Sequence, residues 1–178
     1  VKLNLGCGGN RMEGYTGVDI LPGPAVDVVH DLLVFPWPFE AGAVEDTFCS
    51  HFIEHIPLVT LPNGQDLFFA FFDELYRVMA VGAKATFIAP WYGSVRAWQD
   101  PTHRRAISDA TFLYLNKAWR VAVGIGHYQV ACDFDTQFSY ATQAPWHQRS
   151  EEARTFAFSH YMNVINDVNC VLTKRAPE

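Results

Sequence analysis

Two histidine-bearing segments carry the residue types that proton transfer or metal binding needs. Asp100-Pro101-Thr102-His103-Arg104-Arg105 sets an acid, an imidazole and two guanidiniums side by side. Histidine is the one side chain whose unperturbed pKa suits a general base near neutral pH, and such a base contributes about 10²–10⁴-fold to a rate. His103 is the favoured base on this reading. Asp100, three residues earlier, is spaced to orient its ring, and Arg104 or Arg105 to hold an anionic acceptor. The second segment, His51-Phe52-Ile53-Glu54-His55, supplies His51 as a wall or second base. It also spells H-x-x-E-H, a zinc-peptidase signature. That chemistry wants both histidines on one helical face and a further acidic ligand downstream. Pro57 stops any helix two residues after His55, so a zinc hydrolase using His51, Glu54 and His55 is the least favoured reading and no metal is expected.

A different chemistry stands at the start of the chain. Leu3-Asn4-Leu5 runs into Gly6-Cys7-Gly8-Gly9, the pattern of a strand ending in a tight bend. Glycine there lets a ligand approach the main chain without meeting a Cβ. Asp19 ends the next apolar stretch, where a carboxylate can accept two hydrogen bonds from a ribose diol. Asp31 ends the third, placed to accept from an adenine amino group while the Leu32 N–H donates to a ring nitrogen. A dinucleotide fold is disfavoured. Arg11 stands where the third glycine of G-x-G-x-x-G belongs, and Asp19 follows Gly8 by 11 residues, against about 20 in that fold. S-adenosylmethionine fits better, with a close main-chain surface for its methionine part, an acid for its ribose and an edge acceptor for its adenine.

These residues need strands to carry them to one edge of a sheet. Strands are expected at residues 1–5, 14–20, 26–31 and 44–50. The link between the first two is too short for a full crossover helix, which takes about ten residues or more. Asp66 and its neighbours offer an N-cap to a helix whose apolar positions run from Leu67 to Met79, with Gly82 as its stop. A buried strand follows at 83–89, closed by Pro90, then a long loop over 91–105 in which Trp91 and Tyr92 offer a substrate wall. Beyond it the pattern gives a helix from Ser108 to about Val123, a strand at 128–140, a helix at 151–163 and a last strand at 169–174.

The 178 residues, 49% of them hydrophobic, suit one α/β domain over residues 1–178. A net charge of −6 argues against general nucleic-acid binding, which needs a basic surface. No run approaches the roughly 18 apolar residues of a membrane span, and no signal peptide precedes the first strand. The opening at Val1 inside a strand leaves room for a segment upstream. Four scattered cysteines without a C-x-x-C pair fit reduced thiols in a cytoplasmic protein. The aromatic content of 15% motivates a homodimer, with Phe69, Trp119, Trp146 and Phe156 as candidates for its face.

Four blocks carry a family resemblance: 3–8 (LNLGCG), 17–20 (GVDI), 44–56 (VEDTFCSHFIEHI) and 74–79 (ELYRVM). Over residues 1–90 the chain resembles class I, Rossmann-like S-adenosylmethionine-dependent methyltransferases of the type 11 kind. It looks closest to small methyltransferases associated with bacterial surface polysaccharides, which share the shortened first link. The resemblance implies a mostly parallel seven-stranded sheet with an antiparallel last strand. It also implies a bacterial or phage setting and transfer of a methyl group to an oxygen or nitrogen of a small-molecule or glycan acceptor. On that resemblance Asn4, Gly6, Cys7, Gly8, Asp19, Ile20, Asp31, Leu32, Ser50 and His51 line the cofactor. Relatives of this kind carry a D-P-T-H stretch like that at Asp100. Asn4 stands where the family usually has an acid, and Asn10 where it has a glycine. The other functional class open to this fold is a cofactor-binding or interaction protein without turnover.

Overall fold

In this computed structural model, which describes residues 1–177, seven strands form one sheet in the order β3-β2-β1-β4-β5-β7-β6. They are β1 Lys2–Leu5, β2 Thr16–Asp19, β3 Val28–Val29, β4 Val44–Ser50, β5 Met79–Pro90, β6 Phe134–Thr142 and β7 Ile165–Lys174. All neighbours pair parallel except β7, which runs antiparallel to both β5 and β6. That reversal brings the start of β7 to the edge where β4 and β5 end, pairing Asp167 with Pro90.

β1 lies inside the sheet between β2 and β4, and Leu3, Asn4 and Leu5 are all buried. The link from β1 to β2 contains no helix. Instead Asn4 Nδ2 donates to the Asn10 carbonyl (3.0 Å), and Gly6 and Cys7 N–H both donate to the Val18 carbonyl (2.9 and 3.2 Å). Gly17 is required in β2 because a Cβ there would collide with the carbonyl oxygen of Ala25.

Helix α1, Leu67–Val78, joins β4 to β5 and begins where Asp66 Oδ1 accepts the Phe68 N–H at 2.8 Å. Its apolar face presents Phe68, Phe71, Phe72, Leu75 and Val78 to the sheet, meeting Phe87 of β5. Burying one such ring is worth about 1.5–3 kcal/mol. Glu74 on α1 takes the Trp37 N–H (2.6 Å) and a two-pronged contact from Arg77 (2.6 and 2.9 Å). Arg77 donates in turn to the Trp37 and Phe39 carbonyls, so the proline-flanked loop at 35–39 is tied to the helix.

Several boundaries differ from the sequence expectation. The helix stops at Val78 and β5 starts at Met79, so Gly82 (φ +79°) lies inside the strand. The expected helix at 108–123 is two short ones, α2 Asp109–Leu113 and α3 Lys117–Ala122, because Asn116 caps a new start by accepting the Trp119 N–H at 2.8 Å. The strand expected from Tyr128 begins only at Phe134, since Ala131 and Cys132 give their N–H groups to the Asp73 carboxylate of α1 instead of to a ladder. β7 starts at Ile165, earlier than expected, and helix α4, Glu151–His160, is shorter. Phe69, expected at a partner face, packs against Tyr114 and Tyr128 of its own chain. All four cysteines are free and buried, and no helix is long and apolar enough to cross a membrane among the described residues.

Candidate functional site

At the carboxyl edge of β1 the chain turns through Gly6, whose φ of +63° favours glycine and where a Cβ would press to 2.8 Å from the Phe52 ring. Two residues on, the Gly8 N–H donates to Asp19 Oδ2 at 2.8 Å, and the Leu21 N–H reaches Oδ1 at 3.3 Å. The Asp19 carboxylate is thus locked to the glycine turn, and its remaining lone pairs are free to accept from a ligand. Ile20 and Leu21 form an exposed apolar ledge beside it. Asn4 and Cys7 point inward: Asn4 is buried on Asn10, and the Cys7 thiol is buried against the Ala25 carbonyl. Asp31, past β3, accepts the Leu33 N–H at 2.9 Å, and the buried Leu32 offers its carbonyl to the Trp37 indole.

Ser50 ends β4 and is half-buried. His51 follows in left-handed backbone (φ +54°), a conformation uncommon outside glycine, with its N–H held by the Ile88 carbonyl at 2.8 Å. Its side chain is 38% exposed and sits between two carboxylates, Glu54 Oε1 at 3.3 Å and Asp167 Oδ1 at 4.0 Å. The Glu54 contact raises the His51 pKa against the opposing effect of partial burial; Asp167 adds to the rise and Arg96 opposes it. Arg96 pairs with Asp167 at 2.8 Å. Asp167 and Arg96 were absent from the sequence-derived site, and Glu54 entered it only through the least favoured zinc reading. Asp167 was legible only with β7 starting at Ile165 and running antiparallel. The H-x-x-E-H helix does not form, since Ile53–His55 makes a single 3₁₀ turn.

The loop after β5 closes on that turn from the outside. Arg104 and Arg105 N–H groups both donate to the Glu54 carbonyl (2.8 and 3.1 Å). The Arg105 guanidinium is occupied by the Ile56 and Pro57 carbonyls and by Asp66, over the Phe68 ring, which takes it out of the acceptor-binding role expected of it. Arg104 remains exposed. His103 is nearly covered (10% side-chain exposure), and its Nδ1 meets the Ala97 carbonyl at 3.0 Å. Asp100 lies 4.0 Å from His103 Nε2, beyond hydrogen-bond length; its Oδ1 accepts instead from the Thr102 N–H and hydroxyl, which lower the Asp100 pKa. The His103 ring packs edge-on against His55 with centroids 4.7 Å apart. Trp91 is half-buried against Tyr140, whereas Tyr92 is exposed and takes the Trp98 indole N–H on its carbonyl (2.9 Å).

A cleft of about 440 Å³ lies behind this loop, lined by Leu58, Phe68, Phe69, Arg104, Ser108 and Tyr114 among others. None of its walls comes from the strand ends that carry Asp19 or His51.

No protein-family model matches the sequence, and no curated protein matches it. Solved structures do share its architecture. An S-adenosylmethionine-dependent methyltransferase from Archaeoglobus fulgidus superposes with a TM-score of 0.62 at 17% identity, covering 97% of this chain and 85% of that one. One from Methanosarcina mazei gives 0.55 at 12% identity, with 99% and 92% covered. The YcgJ protein of Bacillus subtilis gives 0.54 at 12% identity over the same shares. With the strand order and the lone antiparallel β7, these likenesses show that the chain has the class I, Rossmann-like methyltransferase fold.

Proposed function

We propose that this protein is an S-adenosylmethionine-dependent methyltransferase acting on a hydroxyl or amine of a small molecule or glycan. The observation that carries the reading is the Asp19 carboxylate, bonded to the Gly8 N–H at the carboxyl edge of a sheet with this strand order. Ligands of open α/β sheets bind at that edge, near the point where strand order reverses, here between β1 and β4.

The residues present suit the cofactor. Asp19 keeps acceptor sites for a ribose diol, the ledge of Ile20 and Leu21 offers apolar surface to an adenine face, and Asp31 with the Leu32 main chain offers an edge acceptor and donor. The turn from Gly6 to Gly8 leaves main chain open to the amino-acid end, with nothing within 4 Å of a Cβ at Gly8. Ser50 and His51 border that end from β4. The inward-pointing Asn4 and Cys7 shape the turn from below. When bound, the cofactor supplies an electrophilic sulfonium methyl group.

The protein's part is then to hold the acceptor in line in a dry site and to accept its proton. The sequence favours His103 as the base; the geometry favours His51. His51 is the more exposed ring, stands at the end of β4 beside Ser50, and has two carboxylates to stabilise the imidazolium that forms. His103 is covered and serves to position the loop. Tyr92, Trp98 and Arg104 give the acceptor side aromatic surface and a cation, which suits a glycan or an anionic metabolite of the surface-polysaccharide kind that the resemblance implies.

Calorimetry with S-adenosylmethionine tests the first half of this reading. Asp19→Ala should bind at least tenfold more weakly, from loss of charge-assisted bonds worth about 1.5–3 kcal/mol each. Unchanged affinity in a folded variant overturns the assignment. Screening glycans, nucleotide sugars and metabolites with methyl-labelled cofactor tests the second. With an acceptor in hand, His51→Gln should keep cofactor affinity and lose about 10²–10⁴-fold in kcat. Cofactor binding without transfer to any acceptor class favours the non-catalytic reading.

A further inference from the structure

Glu54 is poorly partnered for so buried a carboxylate, even with His51 beside it. It is 1% exposed, and neither carboxylate oxygen has a hydrogen-bond partner. His51 Nδ1 stands 3.3 Å from Oε1, an ion pair only when that ring is protonated. Burying a carboxylate is expensive unless it is paired or coordinates a cation. The two arginines whose main chain bonds Glu54 do not meet its carboxylate. Arg104 and Arg105 bond its main-chain carbonyl, and their guanidiniums turn to Pro101 and to Ile56, Pro57 and Asp66.

Two imidazoles approach this carboxylate from different segments. One ligand atom each of Glu54, His55 and His103 lies within 4.8 Å of the other two. Their hydrogen bonds fix which nitrogen each ring can offer. A carbonyl only accepts, so His103 Nδ1 donates to Ala97 O, and in the neutral ring Nε2 is the nitrogen with the lone pair. Thr102 Oγ1 gives its one proton to Asp100 Oδ1 (2.7 Å), so its 3.1 Å contact with His55 Nδ1 has the ring as donor, and again Nε2 is left bare. Imidazoles held by one nitrogen on a carbonyl or a carboxylate-linked hydroxyl, with the other nitrogen unprotonated, have the outer-sphere arrangement of metal-ligating histidines.

The geometry points to a divalent transition-metal site, with zinc as the ion it suits best, formed by Glu54, His55 and His103. Two neutral imidazoles and one carboxylate are a ligand set zinc takes, with a fourth position for water or another oxygen. Closing on zinc would draw the three atoms to about 3.3 Å apart, the edge of a tetrahedron with bonds of about 2.0–2.1 Å. The ion would neutralise the buried carboxylate. It would also clip the loop after β5, through His103, to the turn after β4, and so order the acceptor side of the protein. This set differs from H-x-x-E-H: His103 replaces His51, whose Nδ1 faces Glu54 Oε1 at 3.3 Å while its Nε2 faces Asp167. The inference stands apart from the methyltransferase reading, since metal binding needs neither cofactor nor acceptor.

The test is zinc titration of chelator-stripped protein by calorimetry and native mass spectrometry, with cobalt as a spectroscopic substitute. One equivalent should bind, raise the melting temperature, and give the visible bands of tetrahedral cobalt. His55→Gln and His103→Gln, both at partly accessible positions, should fold and lose at least about tenfold in affinity. His51→Gln should bind zinc like the parent. Absence of saturable binding at micromolar zinc overturns the site. So does parental affinity in His103→Gln, and loss in His51→Gln with retention in His103→Gln would move the ligands back to H-x-x-E-H.

Discussion

The two halves of the molecule build their shares of the site by different means. In residues 1–90 the important groups stand at or just past strand ends and are fixed by bonds to main chain: the Asp19 carboxylate to the Gly8 N–H, Gly6 and Cys7 to Val18, His51 to Ile88. In residues 91–177, Asp167 of β7 apart, they stand on the loop after β5, fixed by side chains that reach across the fold, as Arg105 does to Asp66 and Arg96 to Asp167. A strand end has its place set by the sheet, so substitutions there strain the backbone. A loop held by side chains tolerates change, and there the cost falls on binding. The first half should therefore be brittle and the second permissive.

The hardest test of brittleness is Gly17→Ala. The new methyl would meet the Ala25 carbonyl oxygen and lie 3.0 Å from Cys7 Sγ. Overpacking costs about 1–3 kcal/mol and occasionally more. Main chain cannot rotate aside as a side chain can, so the loss should reach about 3 kcal/mol or abolish folding. Urea denaturation reads it. A loss below about 1 kcal/mol would mean that the segment carrying Ala25 yields easily, and the contrast between the halves would fail at its strongest point.

The same contrast explains what the sequence showed. Asp19 was readable as a strand end because an acid closes that apolar run, whereas β3 stops at Val29, two residues short of Asp31 and of the strand expected over 26–31. The shortened link between β1 and β2 followed from counting residues. The second half depends on pairings far apart in the chain, which no local pattern encodes. Asp73 strips the strand pattern from residues 128–133 by taking the N–H groups of Ala131 and Cys132, 58 and 59 residues away. Arg105 read as a free cation until its partners, 39 to 49 residues distant, were seen. Glu54 stood out only as a letter of H-x-x-E-H, because no local pattern shows that its carboxylate is buried.

An intermediate effect is expected where the first half does rely on side chains. Burial works against the Glu74 carboxylate, but the Arg77 contacts and the Trp37 N–H outweigh it and hold its pKa below the ordinary 4.5. A depressed folded pKa contributes stability above the unfolded value, lost as pH falls through the folded one. The stabilisation should thus be complete by pH 6 and decline from about pH 5 downward. Glu74→Gln should cost about 1–3 kcal/mol at neutral pH, given that Arg77 is partly exposed and screened. It should also flatten the acid limb of stability against pH. A variant with the parent's full acid sensitivity would assign that limb to other carboxylates.

The smallest effect on stability should come from the permissive half, at Trp98. Its ring is 61% exposed, and its one hydrogen bond runs from the indole N–H to the Tyr92 carbonyl within the same loop. Removing it leaves that carbonyl on an exposed residue, where water replaces the lost donor. Trp98→Ala should therefore shift unfolding free energy by no more than about 0.5 kcal/mol. Cofactor affinity should also stay unchanged, because none of the groups that border the cofactor edge bonds to this ring. What should change is the acceptor: with a turnover assay, KM should rise several-fold while kcat changes less, since an aromatic wall that contacts ground state and transition state alike contributes uniform binding. A drop in kcat at constant KM would place Trp98 among the groups that align the reacting atoms. A stability loss above 1 kcal/mol would make the loop after β5 as structural as the strand ends, and the division between a brittle and a permissive half would have to be redrawn at Arg105.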